Sequence, residues 1–159
     1  MRNNQPVTNV EHHFPDDPSA KIISVTDTRG IITDVNQTFI DMCGYTREEL
    51  IGQPHNILRH PDMPSQVFKI LWDTLQRGEC FMGVIKNRCK DGGFYWVSAF
   101  IMPILQNGEI VGYESVRTKV APDKVARAEK VYKAMREGKQ GYSKRWDVWS
   151  ILCYLIFLL

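Results

Sequence analysis

Apolar and polar positions change their spacing several times along the chain, and each change marks an element. "KIISVTDTRGIITDVN" holds two β-branched runs, Ile22–Thr26 and Ile31–Val35, on either side of "DTRG". Asp27 and Gly30 supply turn chemistry, which predicts a β-hairpin. From Gln37 to Pro64 the pattern breaks into short helical pieces punctuated by Gly44, Gly52 and Pro54. "TREEL" begins with Thr46 and carries Glu49 three residues on, a capping box.

"MPSQVFKILWDTLQRG" is the longest helical pattern of the block. Val67, Ile70, Leu71 and Leu75 recur at helical spacing, and Gly78 ends the run. Phe68 and Trp72, four apart, form a second stripe, so this helix has two apolar faces to bury. Strand patterns follow at Phe81–Asn87, Phe94–Ile104 and Ile110–Arg117, joined by the Asp-Gly of "RCKDGG" and the Asn-Gly of "QNGE". Five antiparallel strands with helices grouped on one face predict an α+β domain.

Four segments emerge: a polar leader or cap over 1–18, the mixed block over 19–120, a basic helical linker over 121–145 and an apolar end over 146–159. In the linker Pro122 stands at a helix start, with Val125, Ala128, Tyr132 and Met135 on one side and basic residues on the other. Residues 149–159 carry no charge and follow Lys144, Arg145 and Trp146. Spanning a bilayer takes about 20 apolar residues, so this shorter run is expected to be membrane-associated or part of a transmembrane segment. The basic flank would then lie on the cytoplasmic side of the inner membrane.

The formal charge of +2 conceals an asymmetry. Residues 119–145 hold nine basic and three acidic side chains, whereas residues 1–118 hold eleven and fourteen. A nucleic-acid footprint over the main block is therefore excluded as a working expectation. Cys43, Cys80, Cys89 and Cys153 show no zinc-ligand spacing and read as reduced thiols, so no metal is assigned. No Walker loop, GxGxxG, HExxH or nucleophile elbow is present, and no enzyme activity is expected.

"NILRHPDMP", residues 56–64, sets Arg59, His60 and Asp62 among Pro61 and Pro64. Prolines hold such groups with little entropy left to lose on binding. Arg59 can give a forked contact to phosphate, and His60 offers a ring nitrogen. Asp62 can orient either of them, cap the helix that follows or pair with Arg59 in a plain ion pair.

"GIITDVNQTFIDMCGYTREELIGQPHNILRHPDMP" and "GVIKNRCKDGGFYWVSAFIMPILQNGEIVGYESVRT" resemble the opening half and the closing meander of a PAS domain, over about residues 19–120. Within that family, "GQPHNILRHPDMP", "YWV" and the "GY-S-RT" pattern are similar to the N-terminal FAD-holding sensors of bacterial aerotaxis receptors. They are similar, more distantly, to the flavin-binding PAS domains of nitrogen-fixation regulators.

The resemblance implies a PAS fold, a non-covalent FAD and redox or oxygen sensing as the input to aerotaxis. It also implies a HAMP-type or chemoreceptor output domain and a second copy of the chain as partners. The residues then expected to bind the cofactor are Asn36, Asn87 and Trp96, which the resemblance implies, Arg59, His60 and Asp62 of the proline-rich stretch, which it favours, and Phe68 and Trp72, the aromatic stripe of the long helix, as a wall. Asn36 is equally a plain helix cap, and the aromatics are equally core. "GECFMGV" departs from a family pattern that often has a tryptophan there. No cysteine motif for a light-driven adduct follows Asn36. Two rival readings remain: a cofactor-free interaction module, and a haem sensor ligated by His55 or His60.

Overall fold

The computed structural model describes residues 6–138; the expected apolar end over 146–159, the close of the linker and residues 1–5 lie outside the described residues. Strands β1 (Ile22–Thr26), β2 (Ile32–Val35), β3 (Phe81–Arg88), β4 (Phe94–Gln106) and β5 (Glu109–Thr118) form one antiparallel sheet in the order β2-β1-β5-β4-β3. Helices α1 (Gln37–Cys43), α2 (Arg47–Leu50) and α3 (Ser65–Gln76) connect the first hairpin to the meander, with a 3-10 turn at His55–Leu58. A fourth helix, α4 (Pro122–Arg136), ends the described chain. This is the predicted α+β architecture. No helix among the described residues is long and apolar enough to cross a membrane.

Local chemistry makes the elements where the pattern predicts them. Thr46 and Glu49 form the capping box of α2. Asn107 and Gly108 both take left-handed φ, 52° and 85°, as a two-residue hairpin turn demands. Gly30 closes the first hairpin at φ 78°, and a Cβ there would meet Trp72 Cη2 at 2.9 Å. Gly30→Ala is expected to destabilise by about 2 kcal/mol in a urea titration, because it combines a left-handed penalty with displacement of that indole.

Strand alternation divides the sheet into two faces. Ser24, Ile85, Asn87, Ala99, Tyr113, Ser115 and Arg117 point toward the helices, and the core between sheet and helices is filled by Phe39, Leu50, Leu58, Leu71, Leu75 and Val97. Trp96 points the other way and stacks on Tyr132 of α4, with centroids 6.5 Å apart and planes at 18°.

The segment expected to be a linker is therefore folded onto the domain as far as Arg136. Its predicted apolar side does the packing: Ala128, Tyr132 and Met135 are buried, and the Tyr132 hydroxyl donates to the Val84 carbonyl at 2.6 Å. Residues 8–14 of the leader pack on the turn between β3 and β4 and the start of β4. Thr8 N–H donates to Gly92 O, His12 N–H to Phe94 O, and Phe14 enters the core.

Candidate functional site

A cavity of about 280 Å³ opens between α3, the 3-10 turn and the inner face of the sheet. It lies just below the roughly 300–1,000 Å³ typical of small-molecule sites, room for a planar ring system more than for a whole dinucleotide. Phe68, Leu71, Trp72 and Leu75 of α3 make one wall, and Trp72 meets Tyr113 of β5 edge-to-face at 5.6 Å. Ile85, Ala99 and Ile101 make the wall opposite.

Polar groups from the sheet also line the cavity. Asn87 Nδ2 and Ser115 Oγ line the cavity, are buried and have no hydrogen-bond partner. Buried amides and hydroxyls are nearly always bonded, so a donor left idle in a cavity wall is suited to a ligand acceptor. Arg117, 3% exposed, lines the cavity as well and donates to His55 Nε2 at 2.8 Å and to Ser24 Oγ at 3.2 Å. Burial, followed by the Arg117 charge, pushes the His55 ring down to about 3, which keeps it neutral. Burial pulls Arg117 itself down to about 10, still a cation at neutral pH.

The mouth is basic. Arg59 is exposed there, lies over the Phe68 ring at 4.7 Å and donates to the Met63 carbonyl. Arg29 also lines the opening, paired with Asp27 at 2.8 Å. The cavity thus offers aromatic walls, buried hydrogen-bonding groups and guanidinium at the entrance.

Of the eight residues expected to bind a cofactor, Arg59, Phe68, Trp72 and Asn87 come together around this cavity. Four do not line it. Asn36 is fully engaged as the cap of α1, accepting from Phe39 N and Ile23 N and donating to Lys21 O. Trp96 lies on the other face of the sheet under α4.

His60 and Asp62 leave the cavity because the proline-rich stretch turns around the edge of β3. Arg59 bridges Asn87 on the inner side, whereas beyond it His60 packs against Phe94, and Asp62 pairs with Lys86 at 2.7 Å and lends its carbonyl to Arg136 of α4. Asp62 neither caps α3 nor pairs with Arg59; Pro64 holds the N-cap position without a side-chain bond. The stiff stretch is a clasp over the sheet edge, with only its first charged residue on the cavity.

Arg117 carries no expected role in cofactor binding and His55 only that of the rival haem reading, yet both line the cavity and bond to each other. The signal for Arg117 lay in β5, where Tyr113, Ser115 and Arg117 share one face, so that the alternation puts a charge inward. His55 had no comparable signal, since a 3-10 turn has no face that sequence spacing reveals.

The PAS fold family model matches residues 32–117, more than half of the chain. The chain belongs to the PAS fold family. This PAS chain is 46% identical over 118 residues to the aerotaxis receptor of Escherichia coli (strain K12), covering 74% of the chain and 23% of that protein. It is 31% identical over 100 residues to the nitrogen fixation regulatory protein of Klebsiella pneumoniae, covering 62% and 20%.

The chain thus spans less than a quarter of the length of these curated relatives. Among solved structures, the PAS domain of a Colwellia psychrerythraea protein aligns with a TM-score of 0.58 at 29% identity, covering 63% of this chain and 86% of that one. A light-oxygen-voltage domain studied with a flavin analogue aligns at 0.61 and 25% identity, covering 76% and 89%. One of these curated relatives is thus a receptor and the other a regulatory protein.

Proposed function

We propose that this PAS domain binds FAD non-covalently and serves as the redox or oxygen-sensing input of an aerotaxis-type signal transducer. The observation that carries this reading is an aromatic-walled cavity in whose lining Asn87 Nδ2 is a buried donor without a hydrogen-bond partner. An isoalloxazine ring is flat and apolar on its faces and has hydrogen-bonding edges, so it would occupy the space between Phe68, Trp72 and Tyr113 with its acceptors toward Asn87 and Ser115. Arg59, with Arg29 nearby, would meet the pyrophosphate at the mouth. Flavin supplies reversible electron uptake; the protein supplies a water-poor cavity and fixed donors.

The similarity to an aerotaxis receptor supports a chemoreceptor-type output domain as the partner, with signalling through a dimer. The basic and then apolar sequence over 144–159 supports a position on the cytoplasmic face of the inner membrane. Neither histidine favours haem: His55 Nε2 is taken by Arg117, and His60 lies outside the cavity.

The full chain, purified without added cofactor, is expected to show a two-peaked yellow absorbance and to release FAD on heating. A colourless protein that takes up no added FAD sinks the proposal and leaves a cofactor-free interaction module; a Soret band sinks it in favour of haem. Asn87→Leu, which removes the idle amide at nearly constant volume, is expected to weaken FAD binding at least tenfold without loss of thermal stability. Fluorescence titration of FAD against both proteins measures the first effect and thermal unfolding the second.

A further inference from the structure

Arg117 is a buried charge with neutral neighbours. Its guanidinium lies over the Phe39 ring at 5.5 Å and donates to the Ser24 hydroxyl and to His55 Nε2, and both acceptors are uncharged. No carboxylate among the described residues forms an ion pair with it; the ionisable groups that raise its proton affinity are Tyr95 and Cys43, themselves protonated at neutral pH. Asp62, Glu49 and Asp34 are paired with Lys86, Lys90 and Arg47 instead.

Placing a cation in a protein interior without an anion is costly, and two neutral hydrogen bonds offset only part of the cost. A structural post at this position would be served as well by a neutral amide. The charge faces the cavity, where a ligand can supply its missing partner.

We propose that Arg117 is the counter-ion for negative charge on the bound ligand, which selects a ring that is anionic or becomes so when it accepts an electron without a proton. This rests on the cavity being the flavin site. In the step concerned, one electron passes from a reduced one-electron donor, which is oxidised, to the ring, which gains a single negative charge; no bond breaks and no proton moves. Arg117 stabilises that charge without itself changing protonation. His55, held neutral beside it, keeps the guanidinium oriented and adds no competing cation.

The test uses the full chain with Arg117→Met and Arg117→Lys, and three readouts: unfolding temperature of the flavin-free proteins, FAD affinity, and midpoint potential measured with a viologen mediator at fixed pH. The Met variant is expected to unfold at a higher temperature than the flavin-free wild type, since an uncompensated charge has been removed and Ser24 can still donate to His55. It is also expected to bind FAD at least tenfold more weakly or to lower the one-electron reduction equilibrium at least tenfold, about 59 mV. The Lys variant should retain more of both properties than the Met variant.

A flavin-free Met variant that unfolds well below the wild type, with the Lys variant equally impaired, would make Arg117 a structural post and overturn the inference. So would a Met variant with wild-type affinity and potential. Failure of the wild type itself to take up FAD is a separate result, which rejects the flavin reading and this inference with it.

Discussion

Replacing Tyr132 with alanine is expected to destabilise the protein by about 3–5 kcal/mol, the range for truncating a fully buried aromatic. Tyr132 is 2% exposed and is the only aromatic of α4. Its ring stacks on Trp96 and its hydroxyl satisfies the Val84 carbonyl. Tyr132→Phe keeps the ring and loses the bond, so about 1 kcal/mol should separate it from wild type. Urea unfolding of the three proteins decides the matter; a cost below about 1 kcal/mol for the alanine variant would mean that α4 does not stabilise the sheet. Undocking of α4 also removes Arg136 from the Asp62 carbonyl, and with it the contact between the helix and the clasp that begins at Arg59 on the cavity side.

Lowering the pH from 7 to 5 is expected to cost about 3–4 kcal/mol of stability in total. His55 is held down at about 3, by burial first and then by Arg117, and His60 at about 4, by burial first and then by Lys86. As pH falls through about 6.5 the unfolded chain takes up these protons while the folded chain does not, so acid favours unfolding. Each histidine then contributes roughly 2 kcal/mol of loss at pH 5.

The depressed carboxylates, among them Asp27, Asp34 and Glu49, lose their contribution only at lower pH, below the range of their ordinary values. Urea titrations at pH 7, 6 and 5 read the slope. His60→Gln should flatten it by about half; an unchanged slope in that variant would show that His60 does not bind its proton late.

How far the sequence reaches can be judged element by element. The first hairpin, the Thr46 capping box, α3 and the meander are local: each follows from turn residues and spacing that act within a dozen positions, and the structure has them within one or two residues of their expected ends. The order of these elements, with the motifs around Asn36 and Tyr95, was sufficient for the PAS fold. Phe68 and Trp72, expected from a helix stripe, and Arg59 and Asn87, expected with the resemblance, line one cavity.

Placement at the sheet edge and on its two faces was not readable. Whether the chain after Arg59 stays by the cavity depends on how a proline-rich turn passes β3, and that is fixed by Lys86 and Arg136, 24 and 74 residues beyond Asp62. Trp96 and Tyr95 are neighbours on one strand, so pattern alone leaves their faces open until α4 covers the outer one. Asn36 looked equally suited to cap or to cavity, and the hydrogen bonds to Lys21 and Ile23 decided for the cap. The burial of Arg117 beside a neutral histidine likewise arises from the pairing of β1 with β5 and the approach of the 3-10 turn, contacts that span 93 and 62 residues. The sequence by itself determined the elements and the family, because short-range backbone preferences and side-chain periodicity set them; only the tertiary structure decided which charges stand in the cavity without a partner, because that depends on long-range packing, which no local pattern encodes.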